Sequence, residues 1–161
     1  MKNAFALALV VVLLVGCQER RTDASGAQPP AKHQHFPPHG GTPVVLGNEE
    51  YHLELILNPS EGKLQAFVMD GELENFVRIP ARSFEVNAEV AGNQETLVFN
   101  AVANHATGET VGDTSAFEAH TDWLKTTTTF DATLKEITIR TKTFQNVQFN
   151  FPKGNDTDED K

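Results

Sequence analysis

An alternation of apolar and polar residues with a period of two runs through most of residues 40–152. This period places successive side chains on opposite faces of a β-strand, so that one face of each strand is apolar. The pattern therefore predicts half-buried strands rather than helices. Its clearest run is residues 83–90, where polar residues alternate with Phe84, Val86, Ala88 and Val90.

Turn-forming residues separate the apolar runs and predict antiparallel connections. Residues 51–57 and 64–69 both have strand character and flank the sequence NPSEG, which predicts a β-hairpin. Further strands are predicted at 97–103, 135–141 and 144–151, with short edge strands at 43–46 and 76–79. About seven or eight short strands predict an all-β fold, and we expect an antiparallel β-sandwich of the immunoglobulin-like type.

The segment 104–125 allows two interpretations. Ser115 and Glu118 have the spacing of a helix capping box, which would open a short helix toward Trp123 and Leu124. Alternatively, residues 115–119 form a strand that is followed by a single helical turn. We favour the second interpretation.

The first residues have the order of charge, apolar stretch and small residue that is typical of a secretion signal. Lys2 is followed by an uncharged apolar run at residues 4–15, which ends in the tetrad LVGC. This run is too short to span a bilayer, which needs about 20 residues. We therefore expect residues 1–16 to direct export and then to be removed.

The tetrad LVGC resembles the bacterial lipobox, in which a small residue precedes a cysteine that receives a lipid. Cys17 is the only cysteine, so it has no disulfide partner within the chain. The resemblance implies a lipid anchor on Cys17 in a membrane of the cell envelope, since several acyl chains hold a protein firmly to a bilayer. Gln18 in the next position implies the periplasmic face of the outer membrane rather than the inner membrane.

Composition divides the mature chain into three parts. Residues 17–39 are rich in Gln, Arg, Ala, Ser and Pro and lack an apolar period, which predicts a disordered tether. Residues 40–152 form the predicted β-sandwich domain, and the polar residues 153–161 predict a disordered acidic tail. The net charge of −9 would repel a phosphate backbone, so we do not expect a nucleic-acid partner.

Histidine is concentrated before the first predicted strand, where His33, His35 and His39 are three of the chain's six histidines. Imidazole is a common ligand for zinc and copper, and His33 and His35 point the same way in an extended chain. These residues are candidate metal ligands, although a plain soluble linker is the competing interpretation. His52 and Glu54 are further candidates, because they are predicted on the outer, solvent-facing side of a strand that pairing could bring close to His39.

Three sequence runs carry a family resemblance: PPHGG at 37–41, YHLEL at 51–55 and GKLQAFVMD at 62–70. They resemble small all-β envelope proteins of bacteria, often lipoproteins, that are similar to segments associated with heavy-metal efflux systems. The resemblance covers roughly the first third of the domain. It implies metal handling outside the cytoplasm, with envelope proteins of an efflux system as partners. This role is carried over to His39, His52 and Glu54 only.

The sequence contains no recognisable catalytic motif. His105 and His120 lie near Glu109 and Asp122, but no nucleophile elbow or zinc-protease helix accompanies them, which favours surface histidines. We expect a binding protein rather than an enzyme, with zinc or copper ions bound by histidine and released as the pH falls through about 6.5. The alternative is a structural or protein-interaction module of the envelope that has no metal role.

Overall fold

The computed structural model describes residues 36–156, which form an antiparallel sheet of eight strands. In chain order the strands are β1 (Thr42–Leu46), β2 (Tyr51–Asn58), β3 (Lys63–Asp70), β4 (Ser83–Val90), β5 (Asn93–Ala101), β6 (Ala116–His120), β7 (Phe130–Ile139) and β8 (Lys142–Phe151). A short 3₁₀ helix, Asp122–Lys125, follows β6. Among the described residues, no helix is long and apolar enough to cross a membrane.

Tight turns set the register of the hairpins. The predicted hairpin of β2 and β3 is confirmed. β4 and β5 are joined by Ala91 and Gly92, whose φ angles are 51° and 79°. Positive φ at both central residues is the requirement of a type I′ turn, which suits the twist of a two-residue hairpin. This turn fixes the register in which Val90 lies opposite Asn93.

The strand order across the sheet is β1-β2-β3-β6-β5-β4-β7-β8. β4, β5 and β6 are neighbours, and β7 returns to pair with β4. Three successive strands with a fourth beside the first form a Greek key, which is common among antiparallel β folds. All eight strands thus belong to one hydrogen-bonded sheet, and the predicted all-β antiparallel class is confirmed.

One face of the sheet encloses the main hydrophobic core. In β4, Phe84, Val86 and Ala88 are buried and alternate with more exposed polar residues, as the sequence pattern predicted. Phe99 and Phe117 have no exposed surface, and the rings of Phe84 and Phe99 stack with their centroids 4.8 Å apart. Stacked aromatic rings contribute stability beyond the area that they bury.

The two edge strands, β1 and β8, are linked by the chain that follows β8. The side-chain amide of Asn155 accepts a hydrogen bond from the Val45 N–H at 2.7 Å and donates one to the Val45 carbonyl at 3.1 Å. The Thr42 hydroxyl donates to the Pro152 carbonyl at 3.0 Å. An amide side chain thus takes the place of a neighbouring strand, and the sheet is nearly closed. The Asn155 contacts lie beyond the domain end predicted at residue 152.

The chain around β5 and β6 agrees in part with the sequence prediction. β6 followed by the 3₁₀ helix confirms the interpretation of a strand and a single helical turn, and the helix contributes the buried Leu124. β5 begins at Asn93, earlier than the predicted start at residue 97. The prediction started too late because the first residues of the strand are exposed and polar. An exposed strand end without apolar residues leaves no period-two signal.

The predicted edge strand at residues 76–79 is not formed. Phe76 makes one isolated bridge to Met69, and Ile79 makes one to Thr114. The two bridges connect to different parts of the chain, and Pro80 has no N–H with which to continue a ladder. The segment therefore lies beside the end of β3 and beside Thr114 through single bridges, without forming a continuous strand.

We expect Asn155→Ala to lower the free energy of unfolding by about 1–3 kcal/mol, because the Val45 N–H and carbonyl would lose their partners. Urea unfolding followed by tryptophan fluorescence measures the change. Asn48→Ala is the matched control, since Asn48 is exposed in a turn and its side chain makes no hydrogen bond among the described residues. An equal effect of the two substitutions would show that Asn155 does not hold the sheet edges together.

Candidate functional site

Glu54 and His52 lie on the face of β2 that is opposite to the main core, and this face is buried. Glu54 has no exposed surface and His52 is 2% exposed, so the prediction that both face solvent is wrong. Two segments contact this side of the sheet: residues 36–41, through hydrogen bonds to Glu54, and residues 71–77, through the ring of Phe76, whose centroid lies 5.8 Å from that of Phe67. Leu73 of the second segment is itself buried.

The Glu54 carboxylate is bound by the backbone that precedes β1. Its Oε1 accepts hydrogen bonds from the N–H of His39 at 2.8 Å and from the N–H of Gly41 at 3.0 Å. Neighbouring backbone N–H groups that converge in this way form a typical anion-binding concavity. Here the anion is a side chain of the same domain, and the hydrogen bonds offset the cost of burying the carboxylate.

Both glycines of the PHGG sequence are required by this geometry. Gly40 has a φ of 69°, in the left-handed region that glycine adopts without strain. Gly41 passes so close to β2 that a Cβ would lie 2.6 Å from the Leu55 carbonyl oxygen and 2.8 Å from Cγ of Glu54. A larger residue at position 41 would push the chain away from the carboxylate. The two glycines therefore hold His39 against Glu54.

The His39 ring completes the contact. Its Nδ1 lies 2.8 Å from Oε2 of Glu54. A carboxylate only accepts hydrogen bonds, so Nδ1 carries the proton, and the lone pair of the neutral ring is on Nε2. The ring stacks on Phe67, with centroids 4.7 Å apart, and lies 5.7 Å from the ring of Phe76. The side chain is 42% exposed and Nε2 makes no hydrogen bond within residues 36–156, so this nitrogen is available to a ligand.

His52 is on the same strand face as Glu54 but is held by a different partner. Its Nδ1 lies 3.2 Å from the backbone carbonyl of Asp70. The Asp70 carboxylate in turn accepts hydrogen bonds from the Asn75 side-chain amide at 2.7 Å and from the Glu74 N–H at 3.0 Å. Burial raises the pKa of Asp70, but these hydrogen bonds outweigh burial and hold the pKa below its ordinary value. Asp70 thus fixes the loop that leads to Phe76.

The metal candidates predicted from the sequence are only partly brought together. His39 and Glu54 are in contact, but within residues 36–156 no group of three or more His, Cys, Asp or Glu residues is arranged to hold a metal ion. The predicted combination of His39, His52 and Glu54 is therefore not assembled as a ligand cluster, because Glu54 is already engaged by His39 and two backbone donors. Outside the described residues lie Cys17, His33 and His35.

A second buried carboxylate, Glu109, organises the loop between β5 and β6. It accepts hydrogen bonds from the N–H and the hydroxyl of Ser115, at 2.9 and 2.7 Å, and from the Thr107 hydroxyl at 2.8 Å. Nε of Arg78 lies 3.7 Å from Oε1 of Glu109. Burial raises the pKa of Glu109, but the hydrogen bonds and the Arg78 charge together outweigh burial and lower the pKa below its ordinary value. These contacts indicate that Glu109 stabilises the loop between β5 and β6.

The remaining histidines and the aromatic residues also bear on the site. His105 and His120 are exposed, as predicted, and His120 lies 3.4 Å from Glu118. Phe67 and Phe76 pack beside His39 and were not among the predicted site residues. For Phe67 a signal existed, because the hairpin register sets it opposite Glu54 on the same face. Phe76 lies in an irregular segment, where no periodicity could have placed it.

No protein-family model, curated protein or solved structure matches this chain. What the site can do follows from the chemistry of its own residues. A neutral imidazole whose Nδ1–H is fixed by a carboxylate offers Nε2 as a metal ligand or a proton acceptor.

We expect Glu109→Gln to lower the free energy of unfolding by about 1–3 kcal/mol at neutral pH, and this difference from the wild-type protein to shrink in acid. A carboxyl group whose folded pKa is lowered stabilises the folded state above its unfolded pKa of 4.5. The contribution is lost as the pH falls through the lower folded pKa.

Urea unfolding of both proteins at about pH 7 and about pH 3 measures this difference. Glu95→Gln is the control, because Glu95 is exposed and its side chain makes no hydrogen bond among the described residues. If the free energy of unfolding of Glu109→Gln differed from that of the wild-type protein by the same amount at both pH values, the role of the Glu109 carboxylate in stabilising the loop would be contradicted.

Proposed function

We propose that this protein is a lipid-anchored protein of the bacterial envelope that binds transition-metal ions through His39, in connection with metal efflux or homeostasis. The observation that carries the proposal is the hydrogen bond of 2.8 Å between Nδ1 of His39 and the buried carboxylate of Glu54. A histidine that ligates a metal commonly donates its other ring N–H to a carboxylate, which fixes the tautomer and makes the ligating nitrogen more basic.

In this proposal Glu54 orients the ligand and does not bind the ion itself. Both of its oxygens already accept hydrogen bonds, from the backbone and from the His39 ring. The ring cannot turn freely, because Phe67 stacks on one side and Phe76 lies close by. A ligand held in its binding orientation before the ion arrives loses less conformational entropy on binding.

The further ligands come from the histidines that precede His39 in the chain. His33 and His35 are close to His39 in sequence, and the backbone at His39 and Gly41 is bound to β2. Three imidazoles suit zinc and copper, which prefer nitrogen ligands of intermediate softness. One ligand on the sheet and two on the preceding segment would close around an ion as it binds.

Attachment to the envelope rests on the amino-terminal sequence. The apolar run that ends in LVGC supports export and acylation of Cys17, the only cysteine. The runs PPHGG, YHLEL and GKLQAFVMD support the link to metal efflux through their resemblance to envelope lipoproteins. The first of these runs supplies His39 and both glycines, and the second supplies Glu54, so the resemblance includes the residues of the site.

We expect His39→Ala to weaken zinc and copper binding at least tenfold, and Glu54→Gln to weaken it by about 10- to 100-fold. Glutamine can still accept the two backbone N–H groups, but its amide N–H would donate to Nδ1 and move the ring proton to Nε2, which is the ligating atom. Isothermal titration of the exported, mature protein with Zn²⁺ and with Cu²⁺ measures both affinities.

His120→Ala is the matched control, because His120 is exposed and lies outside the site. The combined replacement of His33 and His35 by Ala measures the contribution of the preceding segment. Wild-type affinity in the His39→Ala protein would end the proposed role of the site, and equal heats after replacing all three histidines would end metal capture by this segment.

We also expect the native protein to begin at Cys17 and to carry acyl chains on it. Mass spectrometry of the protein extracted from membranes would find a lipid adduct on the first peptide, and Cys17→Ala would abolish both the adduct and the cleavage of residues 1–16. An unmodified thiol on an uncleaved chain in the cytosol would contradict the envelope location, whether or not the purified protein binds metal.

A further inference from the structure

β5 has an edge that no strand of the described chain covers. On one side it pairs with β4 along Asn93–Asn100. On the other side only Asn100 and Ala101 pair with β6. The residues from Asn93 to Phe99 therefore have a hydrogen-bonded neighbour on one side only, and most of them are exposed.

The hairpin geometry shows which backbone groups point outward from this edge. A two-residue turn closes on a hydrogen-bonded pair, here Val90 and Asn93, and such pairs alternate along an antiparallel ladder. The odd-numbered residues of β5 thus direct their N–H and C=O groups to β4, and the even-numbered residues direct theirs outward. The N–H of Ala101 donates to Arg82 and the N–H of Val102 donates to Ala116 of β6, in agreement with this alternation.

The outward edge of β1, unlike that of β5, has hydrogen-bonding partners in the described chain. The backbone of β1 at Val45 is capped by the side chain of Asn155, and the Thr42 hydroxyl binds the chain after β8. On β5 only the Val98 carbonyl has such a cap, from the Asn100 side-chain amide at 3.3 Å. Gln94 and Thr96 have no comparable contact to their outward backbone groups among the described residues.

We propose that this edge pairs with the same edge of a second copy of the chain, antiparallel and about a two-fold axis at Thr96. An isologous contact of this kind must be complementary to itself. With Thr96 opposite Thr96 of the other copy, Gln94 lies opposite Val98 and Glu95 lies opposite Leu97. Three outward-facing pairs would form about six backbone hydrogen bonds between the copies.

The side chains of β5 suit this register. Glu95 is the only charged residue between Asn93 and Phe99, and in this register it lies opposite Leu97, so that the two Glu95 carboxylates do not face each other. The two facing Thr96 side chains are branched at Cβ, which suits a strand, and each hydroxyl already donates to Oδ1 of Asn87 in its own chain at 3.1 Å. Val98 is a large apolar side chain that is 43% exposed, and Gln94 of the second copy would cover it. Repulsion between two chains of net charge −9 is screened beyond about 8 Å at physiological salt.

Thr96→Pro tests the pairing without touching the β4 ladder. Proline removes the outward N–H and is tolerated at a strand edge that faces solvent. We expect it to weaken association of the full chain about tenfold or more, as measured by sedimentation equilibrium in density-matched detergent. Thr96→Val is the matched control, because it keeps the N–H and the branched side chain and should retain the wild-type association.

Disulfide cross-linking gives a second measurement that does not depend on the proline variant being folded. Facing residues of a hydrogen-bonded antiparallel pair have Cα atoms about 5.5 Å apart, within the range that a disulfide spans. We expect Thr96→Cys to give covalent dimers in membranes treated with diamide. Asn87→Cys should give no more covalent dimer than the wild-type protein, because Asn87 is opposite Thr96 within the chain and away from the free edge.

A wild-type protein that stays monomeric throughout the concentration range would overturn the proposed pairing. A dimer that survives Thr96→Pro, or Thr96→Cys cross-links no stronger than those of Asn87→Cys, would place the contact on another surface. None of these outcomes concerns metal binding at His39, so this inference and the proposed function stand or fall separately.

Discussion

The hydrogen bonds of Glu54 connect the entering chain to the sheet. A carboxylate with no exposed surface must be compensated within the protein, and here the N–H groups of His39 and Gly41 and the ring of His39 supply the donors. Removing either partner would leave buried polar groups unpaired. The same contacts that make the buried acid tolerable also place the His39 ring, so the stability of this corner and the chemistry of the site depend on one set of atoms.

The fold itself was largely accessible from the sequence. Period-two alternation located β2, β3 and β4, because each has one face in the core and a recognisable turn beside it. The exposed start of β5 escaped detection, because it buries no periodic row of side chains, and the irregular chain at 76–79 was wrongly predicted as an edge strand. Strand order across the sheet depends on long-range pairing, which local pattern does not contain.

Only part of the site could be predicted from the sequence. Sequence reasoning selected His39, His52 and Glu54, but it placed His52 and Glu54 in solvent because polar residues normally mark the wet face of a strand. What overturned that expectation was a second layer, formed by chain segments that contact the outer face of β2 through Glu54 and that of β3 through Phe67. Such a layer has no periodicity of its own. The glycines at positions 40 and 41 were the available sign that backbone approaches backbone closely at this point.

The position of the Gly41 contact has a mechanical consequence. Tension on the chain before Phe36 would reach the sheet first at the hydrogen bonds of His39 and Gly41 to Glu54, before it could act on the ladder between β1 and β2. The hydrogen bonds of Glu54 would therefore bear the force before the edge strand β1 does. A pulling force would have to break these hydrogen bonds to Glu54 before it could shift the register of β1 on β2.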